Sequence, residues 1–188
     1  MKSIYNYIIF SQNRYNNSAD VDGKELILNT EITERDYQFV NRIGTIVSTP
    51  LLEDSPIKEG VEVILHHNVF RRWIDIRGVE KDSSSLIKED YYMVSPDQIY
   101  AYKENNEWKC PDQYCFVKPI NDESKWSTEK EQKLLGELVY SNEYLESLGL
   151  AAGDVVGFTP DSEYEFNIDN TKLYRILSNH ITLQYESH

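Results

Sequence analysis

Cysteine is scarce in this chain. Cys110 and Cys115 are the only two among 188 residues, too few for a disulfide framework. Long hydrophobic runs are missing as well: nowhere does an apolar stretch approach the roughly 20 residues that span a bilayer. The opening Met-Lys-Ser-Ile-Tyr-Asn-Tyr-Ile-Ile-Phe lacks the long apolar region and small-residue cleavage site of a secretory leader, so a soluble, cytoplasmic protein is expected. Positive charge is in short supply. Nineteen basic residues stand against thirty-two acidic ones, for a formal charge of −13. Such a surface repels phosphate backbones and anionic lipid, so neither nucleic acid nor membrane is expected as a partner. The imbalance is uneven: residues 121–170 hold twelve acids and three bases, residues 1–102 sixteen and eleven. The acidic C-terminal half reads most simply as a solubilising face.

Catalytic signatures are also lacking. There is no Gly-x-Ser-x-Gly elbow, no P-loop, no His-Glu-x-x-His and no Gly-x-Gly-x-x-Gly. Carboxylates are plentiful, but the sequence marks none as a paired acid and base. Asp161, Glu163 and Glu165 alternate with Ser162, Tyr164 and Phe166, the pattern of one wet strand face. His66 and His67 are adjacent, and neighbours on a strand face opposite ways. Cys110-x4-Cys115 has neither tight zinc spacing nor a second pair. No metal, no cofactor and no enzymatic activity is expected. Trp73, Trp108 and Trp126 read as core or interface anchors, and His67-Asn68-Val69-Phe70-Arg71-Arg72 as a strand end and turn anchored by Phe70.

What the chain does have is β character. Hydrophobic residues make up 40 %, and fourteen tyrosines with many Ile and Val fall in short runs broken by Gly, Pro, Asn and Asp. Strands are expected at 5–11, 42–48, 62–67, 91–94, 98–102, 114–118, 136–141, 154–159, 172–177 and 181–185. The best helical stretch is 127–135, with Ser127 as a cap. The class is all-β, a barrel or sandwich.

A duplication runs through this pattern. Gly44-Thr-Ile-Val-Ser, Gly60-Val-Glu-Val-Ile-Leu and Tyr92-Met-Val-Ser-Pro-Asp-Gln-Ile recur as Gly136-Glu-Leu-Val-Tyr, Gly153-Asp-Val-Val-Gly-Phe and Tyr174-Arg-Ile-Leu-Ser-Asn-His-Ile. The glycines are 16 residues apart in the first copy and 17 in the second, and the Tyr-to-Ile spacing is 7 in both. Two domains are expected, 1–108 and 109–188, joined through the polar segment 103–113. Taking Phe10 and Val117 as equivalent, copy one carries about 15 extra residues between its first two strands, within 13–41. It is also longer between Gly60 and Tyr92. Loops longer than closure needs are usually functional or disordered. This one is mostly polar, yet after Gly23 it holds Leu26-Ile27-Leu28. Such a triplet is costly to leave in water at about 1.5–3 kcal/mol each, so it is either a core strand or a contact kept for a partner's groove.

The ordered set resembles the GroES-like co-chaperonin family, the lids of chaperonin cages. It comprises a strand, a long loop with a glycine and an aliphatic triplet, Arg42-Ile-Gly-Thr-Ile-Val, a Pro-containing excursion, Ile57-Lys-Glu-Gly-Val-Glu-Val-Ile-Leu65 and Tyr92-Met-Val-Ser-Pro-Asp-Gln-Ile-Tyr-Ala101. Copy two matches the same pattern. The resemblance implies two tandem GroES-like β-barrels, a mobile loop over about 13–41, and docking on a GroEL-type chaperonin through Gly23, Leu26, Ile27 and Leu28. It further implies self-association into a ring, commonly heptameric, and help to ATP-dependent protein folding. The excursion 48–59 is shorter than the hairpin that roofs typical members, which implies a reduced roof. Copy two lacks the loop and triplet, so it is expected to widen the ring, cap it or mediate assembly. Reduced roofs occur among bacteriophage co-chaperonins, which implies a viral origin and the host cytoplasm. The alternative from another class is a phage structural or decoration protein on the same barrel.

Overall fold

The computed structural model describes residues 2–12, 18–21, 24–27, 42–52, 55–121 and 131–185, with the backbone alone at 18–21 and 24–27. The chain divides into two compact units, Met1–Lys103 and Glu104–His188. Both are built of antiparallel β-strands, and the described residues include one short α-helix. The all-β class is as expected, but none of the sheets closes into a barrel.

In the first unit, β1 (Tyr7–Phe10), β4 (Ile43–Ser48), β5 (Glu62–Leu65), β8 (Leu86–Lys88), β9 (Tyr91–Val94) and β10 (Ile99–Glu104) lie in the order β10-β5-β4-β1-β9-β8. Two hairpins stand apart as their own two-stranded sheets: β2 (Ser18–Val21) with β3 (Lys24–Ile27), and β6 (Trp73–Ile74) with β7 (Glu80–Lys81). Alternation sends Gly44, Ile46 and Ser48 of β4 inward, as the period of 2 demands. Ile46 packs with Ile9, Val63, Leu65, Tyr92 and Ile99. Phe70, wholly buried, meets Tyr92 edge to face with ring centres 4.8 Å apart. It anchors the core of its own unit.

The second unit has β12 (Tyr114–Asn121), β13 (Glu131–Tyr140), β14 (Val155–Phe158), β15 (Tyr164–Ile168), β16 (Thr171–Leu177) and β17 (Ile181–Tyr185), ordered β15-β16-β12-β13-β14-β17. Taken from the other end, this is the order of the first unit strand for strand. Hydrogen bonds repeat too. Gly60 N–H donates to Ile46 O at 2.8 Å, and Gly153 N–H to Leu138 O at 2.7 Å. Both turns need a left-handed residue, with φ of +84° and +97°, which glycine adopts without a steric penalty. His66 N–H to Gln98 O and Thr159 N–H to His180 O are both 3.0 Å. The duplicated landmarks therefore occupy matching places.

Four sequence expectations change. Ile9, not Phe10, is the equivalent of Val117, because Ile9 pairs with Ile46 and Tyr92 as Val117 pairs with Leu138 and Tyr174. Residues 131–135 are the start of β13, not helix. Pairing with β12 and β14 overrides their helix propensity, and residues 127–130 lie outside the described part. The polar join holds a strand, β11 (Glu107–Lys109). The helix is instead α1 (Glu143–Ser147), capped by the Asn142 side chain, which accepts from Leu145 N–H as an N-cap should.

Candidate functional site

Two of the candidate chaperonin-binding residues, Leu26 and Ile27, fall on β3 of the β2–β3 hairpin. Its register sets Ala19 against Leu26, Ser18 against Ile27 and Val21 against Lys24. Leu26 and Ile27 are thus in a strand, where the sequence reading expected loop. Gly23 and Leu28, the other two candidates, lie outside the described residues. The missed signal is Asp22-Gly23, a dipeptide strongly favoured in two-residue hairpin connections. Among the described residues the two strands pair only with each other. An isolated two-stranded hairpin is at best marginally stable in water, so a partner that covers it would add order.

His66 and His67 do not take opposite faces of a strand, because β5 ends at Leu65. A 3-10 turn over His67–Val69 follows, and the two imidazoles stack with ring centres 4.5 Å apart. His66 Nδ1 accepts from Asn68 N–H at 3.0 Å. Burial, with the neighbouring His66, Arg71 and Arg42, pulls His67 down to about 4. The ring is neutral in the folded chain at pH 7, and protonating it opposes folding. Because the folded pKa lies below the unfolded value near 6.5, the stability this group contributes is full above pH 6.5 and is lost as pH falls toward 4. Urea midpoints should decline across that window, and His67→Gln should flatten that part of the profile. An unchanged slope in the variant would assign the titration elsewhere.

Titratable groups also meet in the second unit. Lys172 Nζ lies 2.7 Å from Glu131 Oε1 and 3.5 Å from Glu165 Oε2, and Tyr174 O–H donates to Glu131 Oε2 at 2.7 Å. Burial opposes the charge on Glu131, but the hydrogen bonds from Lys172 and Tyr174 outweigh it and hold the carboxylate below its usual range. Burial likewise disfavours the Lys172 ammonium, yet its bonds to Glu131 and Tyr174 raise it. Burial and the Glu131 bond both push Tyr174 up. A cavity of about 330 Å³, lined in part by Leu134, Leu135 and Phe158, opens beside them. With lysine charged and tyrosine protonated, the cluster is a structural ion pair, not a proton-transfer pair poised near neutrality.

Cys110 and Cys115 are free and buried. Burial raises both thiols, Cys115 to about 12, and a thiol without thiolate character is unreactive. A charged disulfide reagent should label neither in the native protein and both after denaturation; labelling of the native chain would contradict this burial. Among the described residues no group of three or more His, Cys, Asp or Glu could hold a metal, and no helix is long and apolar enough to cross a membrane. The chain matches no protein-family model and no curated protein sequence.

Proposed function

We propose that the chain is a non-enzymatic co-chaperonin. In this reading its two units are GroES-like barrels left open, it assembles into a ring, and it caps a GroEL-type chaperonin to assist ATP-dependent folding. Gly23, Leu26, Ile27 and Leu28 make the contact. The observation that carries the reading is the asymmetry of the duplication. Two units share one strand order and matching turn bonds; between its first two sheet strands the first carries a separate hairpin that includes Leu26 and Ile27 of the aliphatic triplet, whereas the sequence of the second has no such triplet between its own first two. An aliphatic strand outside the main sheet suits a groove on a partner. Ordering on contact keeps each site weak, and several sites on one ring combine by avidity.

The test is capture of the purified protein by a group I chaperonin, with and without ATP. Nucleotide-dependent capture is expected. No capture in either state, from a chain shown to be a folded oligomer, would overturn the lid reading.

A further inference from the structure

A cavity of about 430 Å³ opens in the second unit where β12 begins and β16 ends, between Asp112, Gln113, Tyr144, Leu177, Ser178 and Asn179. Hydrogen bonds tie its three walls together. Ser178 N–H donates to Gln113 O at 2.9 Å, joining the end of β16 to the segment before β12. The buried Asn142 amide donates to Ser178 Oγ at 2.8 Å and to Asp112 O at 3.3 Å, while the Asn142 oxygen accepts from Leu145 N–H at the start of α1. Tyr144 N–H donates to Asp112 Oδ1 at 3.3 Å, which sets the carboxylate beside the tyrosine. Walls fixed in advance need little ordering when a ligand enters, and the volume is that of an ordinary small-molecule site.

The lining is also selective. Asp112 is its only charged side chain, and among the described residues no ion pair reaches it, so its charge is left for a ligand to meet. Tyr144, 47 % exposed, offers a ring face to a cation. Leu177 supplies an apolar wall, and the side-chain amides of Gln113 and Asn179 can accept hydrogen bonds. The described residues of this unit carry twelve acids and five bases. Such a field draws cations in and turns anions away.

We infer that this cavity binds a small planar organic cation, an amidinium or guanidinium on an apolar body. A flat head group of that kind donates to a carboxylate through more than one N–H and lays its face on an aromatic ring. Its apolar body meets Leu177. The site lies outside the candidate chaperonin contact, so it stands or falls apart from the lid reading.

The test titrates the full-length chain with benzamidinium by calorimetry, with neutral benzamide, of nearly the same shape, as the control. Benzamidinium should saturate one site per chain, and benzamide should bind about tenfold more weakly. Asp112→Asn keeps an oxygen for Tyr144 N–H and should weaken benzamidinium about tenfold, the loss of a hydrogen bond to a charged group, while benzamide binding stays as it was. Tyr144→Ala keeps the backbone N–H and should weaken benzamidinium about threefold. Far-UV spectra and denaturation midpoints check that each variant is folded. Binding that does not saturate, equal affinity for benzamide, or wild-type affinity in either folded variant would each overturn the site. An end-blocked Gly-Arg-Gly peptide carries the same head group on a protein-like body. Tighter binding of that peptide than of benzamidinium, with the same dependence on Asp112, would overturn the small-molecule assignment in favour of an arginine from a protein partner.

Discussion

Replacing Leu26, Ile27 and Leu28 together with aspartate should abolish nucleotide-dependent capture by a chaperonin while the far-UV spectrum and the oligomer mass stay unchanged. Burying one such side chain is worth about 1.5–3 kcal/mol. Even at the lower figure three of them supply about 4–5 kcal/mol per site, roughly a thousandfold in affinity. Because a ring engages through several sites, the loss is multiplied, and capture should disappear rather than weaken. The fold should tolerate the change because β2 and β3 pair only with each other among the described strands. Ile27→Asp alone should fall between the two extremes. Capture that survives the triple replacement would show that the contact lies elsewhere on the chain.

Asn142→Ala should destabilise the second unit by about 3 kcal/mol. The Asn142 side chain is buried, and its amide nitrogen donates to Tyr114 O at 2.6 Å and Ser178 Oγ at 2.8 Å, with longer contacts to Asp112 O and Pro111 O. Its oxygen accepts from Leu145 N–H at 2.8 Å and so caps α1. Alanine removes the cap, worth about 1 kcal/mol, and leaves buried groups unpaired at about 1–3 kcal/mol. Chemical denaturation of the variant measures this, and a shift under about 0.5 kcal/mol would mean that water replaces the amide. Asn142→Asp adds a check of sign. An ionised carboxylate there faces carbonyl oxygens, so its folded pKa must rise above the unfolded value. Its penalty is then smallest below the unfolded carboxylate pKa and grows as pH climbs through the folded one. The aspartate variant should lie closer to wild type at pH 4 than at pH 7.

Much of the fold can be read from local chemistry. Runs such as Tyr-Ile-Ile-Phe and Val-Glu-Val-Ile-Leu, bounded by glycine and proline, are strands because β-branched and aromatic side chains pack well on a pleated surface. The turn glycines at 60 and 153 are legible because left-handed backbone favours glycine. Glu131-Gln-Lys-Leu-Leu135 misleads because its helix preference is local while its two strand partners, β12 and β14, are distant. Leu134 even takes a positive φ of 59° within that strand. Asp22-Gly23 is the local signal for the β2–β3 hairpin, and a reading guided by the polarity of the surrounding segment passes over it.

Most of the main-sheet strands, the repeated spacings, the net negative charge and the aliphatic triplet follow from residue type and spacing alone. The covering of each apolar side chain does not. Period-2 alternation says which residues share a face but not what packs on that face, so Phe70 and Trp73, three residues apart, end fully buried and half exposed. Asn142 is the clearest case. Its direct partners Tyr114 and Ser178 are 28 and 36 residues away, and no local pattern distinguishes it from an ordinary helix cap. His66 and His67 come to stack only because the strand beneath them stops one residue earlier, where Gln98 O takes the next N–H. Contacts of that range depend on how the sheet brings distant segments together, and that is a property of the folded chain.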